Sequence, residues 1–406
     1  MNWWEKLSNT VKYSTAVIGG GAAGICAAIS KARLGEPVII CEKMTQIGKK
    51  ILASGDGRCN LLNDNLNESY YNAKAQDLVK SIFNKFDKFK ILKFFKELGL
   101  ETYSKDGRIF PVTNQAASVL KVLEMEIKRL SIPIEFGFDC SGLSFSKNGI
   151  LVLSKAGKNV ECQRVIIAGG GKAYPSSGSD GSIYNTVVQL GHTIIEPVPV
   201  MVPLVVKDIV CSSLQGQKIF ATARSIVEGE VSEGVEGELL FTKYGLSGTC
   251  ILDVSEAISV ALNRDRKSRV LVSIDMVPFM NKGQLKNEFE NRLRENYPAE
   301  AMLIGILPNK MSIAFKGLFT KNGLDIAVNA LKDWRFKVAG TQDWSQAEFT
   351  SGGINIEEIK TGTLESKLRH GVYFAGEIID VNGKRGGYNL GWAWASGFVA
   401  GLTGND

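Results

Sequence analysis

The chain has 406 residues, enough for two or three domains with cores of their own. A hydrophobic share of 44% against 22% charged residues is that of a soluble globular protein, which excludes disordered and collagen-like classes. The net charge of +6 comes from 48 Lys and Arg dispersed among 42 Asp and Glu, so a solvated surface is expected and no dedicated nucleic-acid site. Seven cysteines, an odd number without a C-x-x-C pair, argue against a disulfide framework and against a metal site. They fit a reducing, cytoplasmic setting. The segment Met1–Lys6 lacks the basic-then-apolar order of a signal peptide, and Trp3 and Trp4 are expected to pack on the domain. No apolar run approaches the length of a membrane span. A monomer or homodimer is expected.

The first predicted strand, Tyr13 to Ile18, runs into Gly19-Gly20-Gly21-Ala22-Ala23-Gly24, and a small-residue helix begins at about Gly21. The G-x-G-x-x-G spacing assigns a role to each glycine. Gly19 permits the tight turn, Gly21 lets backbone approach a pyrophosphate, and Gly24 lets the helix lie close to the strand. Free N–H groups at the helix start, over Ala22 and Ala23, would face the anion. Glycine turns are common, so the motif alone is weak. The next apolar run, Pro37 to Cys41, ends in Glu42, where an acid should hold a ribose. Strand, turn, helix and acid together predict a βαβ dinucleotide site.

The following stretch, Lys43 to Asn60, carries glycines at 48, 55 and 57 with Lys43, Lys49, Lys50 and Arg58. A basic, close-approaching backbone suits a second pass along an anionic cofactor. Gly48-Lys-Lys-Ile-Leu with Ser54-Gly-Asp-Gly-Arg-Cys-Asn60 resembles the signature of the BaiN-like family of FAD-dependent oxidoreductases, itself distantly similar to fumarate-reductase-type flavoproteins. The resemblance implies a Rossmann-type α/β fold with FAD, rather than NAD, in the fingerprint. It also implies that the loop with Gly57, Arg58, Cys59 and Asn60 backs the isoalloxazine. Asp56 stands where the family more often has glycine.

Apolar residues from Ser81 to Leu98 recur at helical spacing and predict an amphipathic helix. Gly107–Pro111 reads as a strand and Gln115–Leu130 as a helix. Ile134 to Val160 reads as an antiparallel meander, and a buried strand from Arg164 to Ala168 then opens into Gly169, Gly170 and Gly171. Ser179 or Asp180 is expected to cap the next helix. In FAD proteins of this kind, the strand ending at Ala168 to Gly170 closes over the cofactor.

Three of the ten prolines lie between Glu196 and Pro203, which marks a crossing between domains. We therefore divide the chain into 1–195 and 345–406, forming the FAD domain, with 196–344 inserted between them. The insertion should be β-rich and barrel-like over 196–275, then helical over 276–344. It contains Gly237–Gly248, another stretch that resembles the family, with Thr249 where proline is common. No second G-x-G-x-x-G occurs, so NAD(P)H is expected only as a transient reductant.

The end of the chain returns to the cofactor. Gly371–Ala375 is a predicted strand, and Gly376, Glu377 and Asp380 follow, acids placed to bond ribityl hydroxyls. Gly387, Tyr388, Asn389 and Leu390 then open a final helix, whose start the resemblance implies points toward the flavin edge. His192 and His370 read as structural, Cys59 as a buried small residue, and no catalytic acid or base is legible. The expected function is an FAD-dependent oxidoreductase acting on a small organic substrate, with NAD(P)H or oxygen as electron partner. The alternative is a regulatory or RNA-associated flavoprotein.

Overall fold

The computed structural model describes residues 13–319 and 323–403, so Trp3 and Trp4 lie outside the described residues. The chain divides into two compact units, 1–197 with 349–406, and 198–348. Each has its own hydrophobic core.

The first unit opens with β1 (Tyr13–Ile18), α1 (Ala22–Arg33) and β2 (Val38–Glu42). Both strands are almost wholly buried, as a parallel strand covered on two faces must be. The next elements are α2 (Lys49–Ala53), β3 (Leu62–Asn63), α3 (Gln76–Lys85), α4 (Lys88–Glu97), β4 (Thr102–Lys105), β5 (Arg108–Pro111) and α5 (Ala116–Arg129). Where one amphipathic helix was expected from 81 to 98 there are two. The Asp87 carboxylate accepts from Lys90 N–H at 2.9 Å and starts a new helix at Lys88.

The segment expected as a meander divides. β6 (Ile134–Phe136) lies parallel beside β2, at the edge of the main sheet. Only β7 (Cys140–Ser146), β8 (Gly149–Ser154) and β9 (Asn159–Ile167) form the antiparallel meander. β9 is long enough to serve different partners along its two halves, on opposite edges. Its first half pairs with β8 and its second half lies parallel to β1, so the meander and the strand at Arg164 are one strand. α6 (Ile183–Gln189) follows, and β10 (Ile194–Val200) carries the chain toward the second unit.

The second unit holds β11 (Leu204–Val205), α7 (Ile209–Ser213), β12 (Lys218–Val227), β13 (Glu230–Val231), β14 (Val235–Thr242), β15 (Gly245–Ser247), α8 (Thr249–Ser259), β16 (Val270–Asp275), α9 (Lys282–Arg294), α10 (Asn309–Phe315), α11 (Leu324–Lys332), β17 (Trp334–Lys337) and β18 (Gly340–Thr341). Its sheet runs β17-β16-β12-β14-β15-β11-β18. The expected split into strands and then helices is too clean. α8 lies within the strand-rich part, and β17 and β18 return from the helical part to extend the sheet.

The chain re-enters the first unit through β19 (Phe349–Ile354), which pairs with β10. β20 (Val372–Phe374) joins the parallel sheet beside β9, and α12 (Tyr388–Leu402) closes the fold. α12 lies against α1 at a separation that only glycine allows. A Cβ on Gly397 would sit 2.2 Å from the Ala23 carbonyl oxygen, and one on Gly401 would sit 2.4 Å from that of Ala27.

His192 is buried behind β20 with its ring edge-on to Phe374. Nδ1–H donates to Glu358 at 3.0 Å, and Nε2 accepts from the Ser366 hydroxyl at 2.7 Å. Ser366 Oγ in turn accepts from Leu368 and Arg369 N–H. The neutral ring satisfies every group, and burial holds its pKa below the ordinary value against the pull of Glu358.

Two predictions follow from this packing. Gly397→Leu should cost roughly 3 kcal/mol or more through overpacking at α1. Chemical denaturation checks it, and an unchanged midpoint would contradict the close approach. A histidine with a depressed folded pKa stabilises fully above its unfolded value, about 6.5, and that contribution is lost as pH falls through the folded value. The melting temperature should therefore fall between pH 7 and pH 5, less so for His192→Gln. Equal slopes would contradict the buried neutral ring.

Candidate functional site

The turn between β1 and α1 meets the demands that its spacing makes. Gly19 has φ 103°, and a Cβ there would lie 2.5 Å from the Ala168 carbonyl oxygen. A Cβ on Gly24 would lie 1.8 Å from the Gly19 carbonyl oxygen, so helix and strand meet backbone to backbone. Gly21 differs from both. It is the N-cap of α1 in an extended conformation, and nothing lies within 4 Å of where its Cβ would stand. No side chain caps this helix and no acid stands in its first turn. An uncapped helix start beside an open, Cβ-free space is a cradle for a phosphate group. A pyrophosphate fits it.

Glu42 closes β2 as expected, with both carboxylate oxygens already engaged. One accepts from Gly20 N–H at 2.6 Å and the other from Met44 N–H at 2.7 Å. Burial pushes its carboxyl up, while these N–H groups and the nearby Lys49 and Lys43 pull it down. The glycine turn and the acid are thus locked in register, and each oxygen keeps a lone pair for a ribose hydroxyl.

The segment after Glu42 is more ordered than a loop. Gly48, in the left-handed region at φ 68°, starts α2 and so places Lys49 and Lys50 on a helix. Lys50 Nζ pairs with Glu377 at 2.6 Å, donates to the Ala173 carbonyl and lies 5.5 Å over the Phe349 ring. Lys43 pairs with Asp180 at 2.5 Å. Asp180 therefore does not cap α6, and neither does Ser179; the helix starts after Ser182 without a side-chain cap. Gly55, Asp56, Gly57 and Cys59 all have positive φ, and Asp56 adopts 54° where glycine would be easier. Gly57 and Arg58 are exposed, with the guanidinium 5.3 Å over Phe110. The Cys59 side chain is wholly buried, and burial pushes its thiol up to about 12. Only backbone of that residue can face a ligand.

Three later segments converge on the same region. After Ala168, Gly170 at φ 76° lies against Ser179, and Gly169 against Ile183. Gly171 has no room for a Cβ between Thr350 and Glu377. The Thr350 hydroxyl accepts from both Lys172 and Ala173 N–H. Glu377 accepts from Thr350 N–H, and Asp380 from Gly352 N–H. Gly376 is fixed by α12, its N–H donating to Ser396 and its carbonyl accepting from Trp392.

At the start of α12, the Asn60 amide, oriented to satisfy both its atoms, accepts from Gly387 N–H at 3.1 Å and donates to Leu62 at 3.0 Å. The Tyr388 ring is buried and stacked on Tyr70. The Asn389 amide is bonded at both ends to Gly383, so it braces the 383–387 turn; Leu390 is half-buried one position further on. Ser396 and Trp392 carry no motif that would have announced them. Among the described residues, no cluster of His, Cys, Asp and Glu is placed to hold a metal, and no helix is long and apolar enough to cross a membrane.

A parallel sheet with a glycine turn, an open helix N-terminus and an acid ending the second strand defines a Rossmann-type dinucleotide-binding protein. The family described as HI0933-like protein Rossmann domain matches residues 13–403, and the chain belongs to it. The chain is 36% identical to the 3-dehydro-bile acid delta(4,6)-reductase of Clostridium scindens, covering 95% of this chain and 97% of that one. It is 27% identical to the ribosomal RNA dihydrouridine synthase of Haemophilus influenzae, over 95% and 97% respectively. A solved flavocytochrome c3 fumarate reductase covers 99% of this chain at 15% identity, with a TM-score of 0.49.

Glu42→Ala leaves the Gly20 and Met44 N–H groups without their acceptor. It should destabilise the protein by roughly 1–3 kcal/mol and weaken dinucleotide retention as well. Denaturant unfolding and cofactor occupancy of the purified variant check this. If neither changes, the carboxylate does not hold the turn.

Proposed function

We propose that the protein is an FAD-dependent oxidoreductase that reduces a small organic substrate, with NAD(P)H as a transient electron donor. The observation that carries the reading is the uncapped start of α1 beside the open space at Gly21, with Glu42 locked to the same turn. FAD, when bound, supplies the two-electron chemistry.

The chain's own residues bind and orient. N–H groups of Ala22, Ala23 and Gly24 would hold the pyrophosphate, and Glu42 would accept from the adenosine ribose. Ala168, Gly169 and Gly170 would cover the dinucleotide. Glu377 and Asp380, fixed by Thr350 and Gly352 N–H, would orient the ribityl chain, with Lys50 holding Glu377 in place. Gly57, Arg58 and Asn60 would border the ring on one side and the Gly387–Leu390 helix start on the other. The reductase relative at 36% identity, aligned over nearly both chains, supports small-molecule reduction. Seven free, buried cysteines support a reducing, cytoplasmic compartment.

A second reading, reduction of a base in ribosomal RNA, is favoured by the 27% identical synthase. We rank it second because the reductase is the more similar of the two relatives. Absorption spectra of the purified protein, recorded anaerobically before and after NADH or NADPH, test the proposal. We expect an oxidised flavin band that bleaches with one of the two and returns on adding a reducible small molecule. A protein without flavin would overturn the cofactor. Reoxidation by ribosomal RNA alone would move the substrate to the second reading.

A further inference from the structure

The second unit contains a largely open surface cavity of about 350 Å³ that nothing in the cofactor site uses. It lies where β11, the turn from β14 to β15 and the start of α7 meet, and its lining includes Val205, Val206, Lys207, Asp208, Ile209 and Lys243. That volume is in the range of small-ligand sites.

The turn that shapes it is rigid. The Thr242 hydroxyl accepts from Gly245 N–H and donates to the Gly245 carbonyl, and the Tyr244 carbonyl accepts from Val206 N–H at 3.0 Å. A Cβ on Gly245 would lie 2.3 Å from the Leu204 carbonyl oxygen, so the hairpin is pressed onto β11. Lys243 and Tyr244 are therefore presented by a braced turn.

Two features of the lining bear on what it would hold. Ile209 is 82% exposed, an apolar side chain left in water at the mouth of the cavity. Lys207 and Lys243 are both exposed and, among the described residues, have neither an ion-pair nor a hydrogen-bond partner. The one acid of the lining, Asp208, accepts from Val210 N–H and braces its own turn. Two cations against one anion leave the cavity net positive beside an apolar wall.

We infer that this cavity binds a small amphipathic anion, its carboxylate or phosphate head between Lys207 and Lys243 and its apolar body against Val205, Val206 and Ile209. The inference rests on the cavity alone and stands apart from the flavin reading.

Calorimetric titration of the full-length protein with decanoate, decyl phosphate and decanol, each below its micelle concentration, tests it. Decanoate or decyl phosphate should bind, and the tighter of the two names the head group. Decanol should bind at least tenfold more weakly. Lys207→Ala and Lys243→Ala should each weaken the anion about fivefold, the upper end for an exposed ion pair, with decanol unaffected and Lys243→Arg close to wild type. Unchanged melting temperatures confirm that the variants fold. Equal binding of decanol and the anions, anion binding indifferent to both lysine changes, or no binding at all would each overturn the inference.

Discussion

The close contact between α12 and α1 is the constraint on which the first unit depends. Gly397 and Gly401 bring one helix backbone onto the Ala23 and Ala27 carbonyls of the other. α1 begins at the glycine turn, so this contact fixes the orientation of its open N-terminus. α12 then extends the same control to distant segments. Trp392 and Ser396 hold Gly376, and Trp394 donates to the Leu61 carbonyl at 3.0 Å. Residues from opposite ends of the chain thereby keep one geometry around one space.

Within that frame the charged groups are held before any ligand arrives. Glu42 is tied to backbone N–H groups at one end of the site, and Glu377 to Lys50 and Thr350 at the other. Between them the N-terminus of α1 offers N–H groups that no side chain claims. A phosphate at this position gains from the helix dipole, and fixed acids on either side suit hydroxyl groups rather than further anions. The pattern of one anion-accepting centre flanked by hydroxyl acceptors is that of a dinucleotide.

The glycine fingerprint and Glu42 were legible in the sequence because each local role has a local residue requirement. Gly19 needs positive φ, and Gly24 needs space for a neighbouring carbonyl. The parallel sheet followed from buried apolar runs. The split at Asp87 was missed because the apolar periodicity runs through the break, and the capping acid carries the signal instead. The place of β6 was missed because a short strand does not reveal its partner. The bracing roles of Asn389 and Asn60 depend on chain segments that only the fold brings together. The stripe Gly397-x-x-x-Gly401 facing Ala23-x-x-x-Ala27 was present in the sequence, but its meaning required knowing that the two helices meet.

The central claim is that the open start of α1 is kept free for a cofactor phosphate. Gly21→Asp tests it most directly, because the position has ordinary φ and empty surroundings. An aspartate there is a favourable N-cap and should leave the cofactor-free protein as stable as wild type or more so, by roughly a few tenths of a kcal/mol. The same carboxylate would occupy the phosphate position with the wrong charge. Measured side by side, the variant should keep its melting temperature without cofactor and lose bound FAD. A Gly21→Asp protein that purifies with full FAD would contradict the account.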